Sequence, residues 1–283
     1  MLRKFKLLGM LLAVILFAVS SSADAAPNWN TNTIQVTGMG VANPQLARSP
    51  THAYMMARRA AIADAYRQLA EMVQGVKVDA ETTVEMMMLK SDIVRTRVSA
   101  VINGAQVISE KKLPDNGCEV TMEMALFGGS GGLAETLIER PTVIEPIPAP
   151  APDYRPPADY TPPPVPGYQP KPSGGKYTGL IIDCRGLGTL SPVMSPVIKN
   201  SKGEKIYGHK NLNYDRVISE GMASYAQSMS QASRAGSNPL IVKAVLLDDR
   251  GSTPVLSAED SEMVLYENKN AHFLENIAVV FLF

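Results

Sequence analysis

Polar and apolar residues alternate along Thr33-Ile34-Gln35-Val36-Thr37, which predicts a strand with one buried face, ended by Gly38-Met39-Gly40. From Ser49 the period becomes helical. Ser49 supplies a capping hydroxyl and Pro50 suits the first helical position, so a helix is expected from Pro50 to about Gln74, stopping at Gly75. Ile62, Ala65, Leu69, Met72 and Val73 form its apolar stripe, and Ala57, Ala60, Ala61 and Ala63 allow a sheet or a second helix to approach closely. Val76, Val78, Ala80, Thr82 and Val84 fall on alternate positions and predict a second strand. Met86-Met87-Met88 continues it as a doubly buried strand end, with a soft contact surface as the alternative. Ser91 caps a helix from Asp92 to Gly104 with Val94, Val98, Val101 and Ile102 inward. Ala105–Lys112 and Cys118–Leu126 are then two strands joined by the turn Pro114-Asp115-Asn116-Gly117. The order strand, helix, strand, helix, strand, strand suits a sheet with helices on one face.

The pattern breaks at Gly128-Gly129-Ser130-Gly131-Gly132, read as a flexible joint, and Leu133 to Arg140 is free of proline and suits a short helix. Residues 141–172 hold thirteen of the 21 prolines. Proline fixes φ and offers no N–H, so an extended spacer is expected, about 100 Å if fully stretched. Tyr154, Tyr160 and Tyr168 recur within it. The spacer reads as a plain tether, a span across part of an envelope, or a docking strip for a proline-reading partner. Beyond it, Tyr177–Cys184, Pro239–Leu247 and Ile277–Phe283 are apolar strands. Ile198 and Ile206 flank a hairpin, Tyr214–Ser233 reads as a helix, and Ser257 caps a short acidic one. The fold class is therefore α+β, two small bodies joined by a proline-rich linker. The divisions are a signal peptide over residues 1–25, a first body over 31–127, a Gly/Pro-rich linker over 128–175 and a second body over 176–283.

Arg3, Lys4 and Lys6 precede an apolar run from Leu7 to Val19, and Ala23-Asp24-Ala25 fits a small-x-small cleavage site, so export with cleavage after Ala25 is expected; an uncleaved anchor is the alternative. The chain carries 27 basic and 27 acidic residues. Losing the first 25 removes three basic and one acidic, a net charge of −2, which gives no electrostatic reason for a nucleic-acid or anionic-membrane partner. No later stretch approaches the length of a membrane span. Of the two cysteines, neither lies near the cleavage site, so no lipid anchor is expected. Cys118 and Cys184 either pair across the spacer or remain separate thiols.

Candidate chemistry is sparse. His52, His209 and His272 stand far apart with no ligand spacing, the two-glycine turns at Gly38 and Gly186 lack a third glycine, and no Gly-x-Ser-x-Gly elbow occurs. No catalytic residue, metal or cofactor is assigned. Asp183 and Arg185 flank a strand end, read as a salt bridge rather than a ligand site. The outer side of the long helix carries Arg58, Arg59, Asp64 and Arg67 at spacings that make Asp64 and Arg67 neighbours, and is the candidate interaction face. Tyr154, Tyr160 and Tyr168 are the candidate docking residues of the linker.

Ala57-Arg58-Arg59-Ala60-Ala61, Asp64-Ala65-Tyr66-Arg67, Leu69-Ala70-Glu71, Gly75-Val76-Lys77-Val78, Gly104-Ala105-Gln106-Val107 and Val120-Thr121-Met122 together resemble the bacterial envelope lipoprotein family of the "Lpp-twenty" type. The N-terminal domain of the flagellar assembly protein T is similar to the same family. Tyr177 to Asp183, Arg185-Gly186-Leu187-Gly188 and Leu274-Glu275-Asn276 resemble regions that accompany this domain. The resemblance implies an exported periplasmic or outer-membrane-associated protein without catalysis, with a structural or assembly role at the outer membrane or flagellar basal body. Its partners would be envelope or flagellar proteins, or further copies of itself. A soluble periplasmic ligand- or glycan-binding module is the alternative, and an envelope hydrolase using the second body is a third, weaker one.

Overall fold

The computed structural model describes residues 27–157, 160, 164 and 176–283. The signal segment with Ala25, and Tyr168, lie outside the described residues. Strand β1 (Thr33–Val41) pairs antiparallel with β3 (Gly117–Ala125), which pairs antiparallel with β2 (Gln106–Leu113), in the order β1-β3-β2. Asp115 and Asn116 both take positive φ, as a tight primed turn between β2 and β3 requires. Helix α1 (Pro50–Gly75) lies across one face of this sheet, its N-terminus capped by the Ser49 hydroxyl, which accepts from His52 N–H.

The buried stripe of α1 is Ala53, Ala57, Ala61, Ala65, Leu69 and Val73, a strict four-residue repeat. Small side chains at four of those positions let the helix backbone settle directly on β1. A Cβ built on Gly38 would stand 2.2 Å from Ala61 O, and one on Gly40 2.2 Å from Ala57 O. The two glycines are therefore a contact surface rather than the end of the strand, which runs on to Val41.

The expected strand over Val76–Val84 does not form. Asp79 Oδ1 accepts from the N–H groups of Glu81 and Thr82, turning the chain, and Val84 N–H returns to Val76 O. Thr83 then caps α2 (Val84–Lys90), which takes up the three methionines. Local side-chain bonding to the backbone outcompetes the period-two pattern there. Helix α3 (Asp92–Asn103) follows from its Ser91 cap as expected, with Val98 and Ile102 buried.

The second body is built on a seven-stranded sheet in the order β6-β5-β9-β8-β4-β10-β7. Its centre is parallel: β8 (Pro239–Asp248), β4 (Gly179–Asp183), β10 (Val279–Leu282) and β7 (Ser224–Ala226). Strands β5 (Ile198–Lys199) and β6 (Lys205–Tyr207) form the predicted hairpin, and β9 (Thr253–Leu256) returns antiparallel to β8. The long helix expected over Tyr214–Ser233 is cut short. Helix α5 spans Tyr214–Glu220, because Gly221 takes φ 74° and the chain turns into β7. Helix α6 (Ala258–Ala271) exceeds the short one expected.

The two bodies pack on each other. One continuous core runs from Ile34 and Val36 through Leu126 and Phe127 to Val217, Tyr225 and Phe281. The glycine run is not a free joint: Gly128 and Gly129 both donate their N–H to Ile218 O, and Leu133, at the start of α4 (Leu133–Leu137), is buried. Trp29 meets Tyr225 edge-on at 5.5 Å, and Tyr225 meets Phe281 likewise. Met194 and Ser195 donate their N–H groups to Lys77 O and Val78 O, so the turn that replaced the expected strand becomes part of the seam.

Candidate interaction surfaces

The outer side of α1 divides between the two edges of the sheet. Arg58 turns toward β2, where its Nε donates to Glu110 Oε2 at 2.7 Å, and the Tyr54 hydroxyl donates to the same carboxylate. Lys112 lies over the Tyr54 ring at 5.7 Å. The Glu110 carboxyl is held below its usual range by Tyr54 and then Arg58, and the Tyr54 phenol is pushed up to about 12, first by its bond to Glu110. Toward β1, Asp64 accepts from Met39 N–H at 3.1 Å, from Arg67 at 2.8 Å and from Gln68 at 2.8 Å. Arg67, the leading cause, keeps the Asp64 carboxyl below its usual range. Arg67 also reaches Glu71 at 2.6 Å.

The residues expected to form one interaction face thus act as two internal clamps. Arg58 ties α1 to β2, Asp64 ties it to β1, and Arg67 orients Asp64. Among the described residues Arg59 alone of the four makes no ion pair and stays exposed. Tyr54 and Glu110 escaped the sequence reading. Glu110 was one charge on a strand with no burial pattern, and only tertiary packing brings it to a helix 52 residues away.

The proline-rich segment is a strap on the second body as far as it is described, rather than a free spacer. Glu145 N–H donates to Lys210 O at 2.8 Å, and Asn211 donates to the carbonyls of Glu145 and Pro146. Ala151 N–H donates to Glu262 Oε2 of α6 at 2.6 Å. Tyr154 packs edge-on against Tyr266 at 5.8 Å, with its hydroxyl buried and unpaired. The Tyr160 hydroxyl donates to Ile241 O at 2.5 Å. β9 pairs with β8 only from Ala244 to Asp248, so Tyr160 bonds the half of β8 that β9 leaves uncovered. Burial raises both phenols above their usual range. Tyr154 and Tyr160 therefore face the protein's own second body.

At the carboxyl end of β4, Arg185 grips Asp183 with two parallel bonds of 2.8 Å, and Arg185 N–H adds a third at 3.1 Å. Burial pushes the Asp183 carboxyl up, but the Arg185 bonds outweigh it and hold the group below its usual range. This is the salt bridge expected from the sequence. At the seam, Lys77 Nζ donates to Ser191 Oγ at 2.8 Å, and Ser195 Oγ lies 3.3 Å from His209 Nδ1. Burial keeps His209 below its usual pKa and therefore neutral near pH 7. Cys118 and Cys184 are both buried free thiols, so the disulfide held open as an option does not form. Burial pushes the Cys184 thiol up to about 12. Among the described residues no group of three or more His, Cys, Asp or Glu is arranged to hold a metal, and no helix is long and apolar enough to cross a membrane.

Residues 27–124 match the LPP20 lipoprotein family. The resemblance read from the motifs is thereby shown, and the match covers β1 to β3 with α1, α2 and α3. Residues 179–283 match the family described as Treponema pallidum Tp0624, second domain, which covers the seven-stranded sheet. No curated protein matches the chain. The glycine turn, α4 and the proline strap lie between the two matched segments.

Proposed function

We propose that this is an exported, non-catalytic protein of the cell envelope with a structural or assembly role, at the outer membrane or the flagellar basal body. The observation that carries this reading is the match of residues 27–124 to the LPP20 lipoprotein. The internal use of its charges supports it: Arg58, Asp64, Arg67, Asp183 and Lys199 are all in ion pairs within the chain. These pairs tie the protein's own elements together, which suits a structural role. The shared core and the strap would present the two bodies to partners as one unit.

Crosslinking in intact cells, followed by affinity purification of the tagged protein, tests this. Recovery with outer-membrane or basal-body components is the expected result, and loss of motility or envelope integrity should follow deletion of the gene. Recovery as a lone monomer would overturn it. One observation favours the reading as a ligand- or glycan-binding module. A cleft of about 490 Å³ opens beside the C-terminal end of α3, lined by Val101, Gln106, Glu123 and Met124 among others, within the size range of small-molecule sites. A thermal-shift screen with cell-wall fragments would detect an occupant, and no shift would remove that reading.

A further inference from the structure

Helices α2 and α3 meet at Ser91 in a corner whose outer surface is apolar. Leu89 is 73% exposed, Ile93 66% and Met86 40%. Met86 and Leu89 are three apart on α2, and Ile93 opens the first turn of α3, so the three side chains flank one corner. Met87, Met88 and Val94 are half-buried behind them. Single exposed apolar residues need no explanation, but a cluster where two helices meet marks a contact surface.

Lys90 follows Leu89, and Arg97 lies one turn beyond Ile93; among the described residues neither forms an ion pair. Arg95 is already held, by Asp92 at 3.0 Å and by the Met88 carbonyl at 3.0 Å. The acidic groups Asp79, Glu81 and Glu85 stand toward the opposite, N-terminal end of α2. Asp92, 91% exposed beside Ile93, is paired with Arg95, so among the described residues Lys90 and Arg97 are the free cations next to the apolar side chains. An anionic bilayer surface suits both features, since apolar side chains enter the headgroup region while lysine and arginine meet lipid phosphates.

We propose that the α2–α3 corner is a membrane-contact site that inserts Leu89 and Ile93 into the surface of an anionic lipid bilayer. The inference rests on the envelope reading above and deepens it. The test is flotation of the purified protein with vesicles of phosphatidylcholine alone or with phosphatidylglycerol added. Every variant carries the same N-terminus, so differences between variants isolate the corner.

The wild type should float with phosphatidylglycerol vesicles and lose binding as salt rises. L89E/I93E should lower the bound fraction about tenfold or more, because two inserted side chains are replaced by charges that anionic lipid repels. K90E/R97E should abolish the preference for phosphatidylglycerol. All four side chains are exposed, so the variants should keep the wild-type melting temperature, and L89S/I93S serves if the charged pair does not. Equal binding by L89E/I93E, or no binding by the wild type, overturns the proposal. So does a concentration-dependent dimer, without vesicle binding, that the same substitutions dissolve; that outcome assigns the patch to a second copy. Failure here leaves the crosslinking test of assembly unaffected, so the two readings fall separately.

Discussion

Replacing Gly38 with alanine tests the fold of the first body most directly. The new Cβ would lie 2.2 Å from Ala61 O, 2.5 Å from Ala65 N and 2.8 Å from Ala65 Cβ. Two of these are backbone atoms of α1, so no side-chain rotation relieves the clash. The helix must lift by about 1 Å, a gap that forfeits a quarter to a half of each dispersion contact it opens. The contacts opened are those of the buried stripe at Ala57, Ala61 and Ala65. Overpacking of this kind costs about 1–3 kcal/mol, offset by about 0.5–1 kcal/mol from the reduced freedom of the unfolded chain. With backbone on the opposing side the upper end applies, so a net loss of about 2 kcal/mol is expected. That lowers the melting temperature by roughly 4–8 °C for a chain of this size.

Gly75 is the control. A Cβ there meets nothing within 4 Å, and the residue ends α1, so G75A should stabilise by up to about 1 kcal/mol. Far-UV circular dichroism follows the helices. The single tryptophan, Trp29, packs against Tyr225 of the second body and reports the seam. Because the core is continuous, both signals should move together in G38A. A G38A melting temperature within about 1 °C of the wild type, or a fall in G75A equal to that in G38A, would refute the close-approach argument.

Tyr160→Phe removes the hydroxyl that donates to Ile241 O; a loss of about 1 kcal/mol is expected, read as faster limited proteolysis within the strap. Asp183 has a folded pKa below its unfolded value, so its stabilisation is present above pH about 4 and fades as pH falls below that. D183N should lose about 2 kcal/mol at pH 7 and flatten the acid limb of a denaturation series, the partial exposure of Arg185 keeping the loss modest. His209 is also depressed, by burial; its stabilisation should be complete above pH about 6.5 and decline as pH falls through that value, a step that His209→Gln should erase in the same series. Both thiols should resist a disulfide-exchange reagent in the native protein and react together on unfolding, two per chain; a single reactive thiol, or none after unfolding, would contradict the buried free pair.

Local signals were legible wherever one residue set the backbone by itself. Ser49 with Pro50 started α1, Ser91 started α3, Asp115-Asn116 turned β2 into β3, and the parallel core strands stood out as apolar runs because both their faces are covered. The alanine repeat of α1 announced a close approach, though not that Gly38 and Gly40 were its other half. Two readings failed where a local device overrode the period: the Asp79 turn with its Thr83 cap, and Gly221 at positive φ. Both devices are visible in the sequence, but they carry weight only once the chain around them is packed.

The partners of side chains far apart in sequence could not be read in advance. Arg58 and Asp64 share the side of a helix expected to meet solvent, and only the sheet beneath decides that one reaches β2 and the other β1. The strap is the clearest case. Proline content predicts neither helix nor inner strand over residues 141–172, because the ring fixes φ and removes the donor. It did not dictate a free spacer. Tyr160 finds a carbonyl on β8, Ala151 a carboxylate on α6, and the glycine turn a carbonyl on α5. By itself the sequence determined most of the elements and the family resemblance. Tertiary structure alone decided that the two bodies share one core, since burial depends on distant segments meeting and no local pattern encodes where they meet.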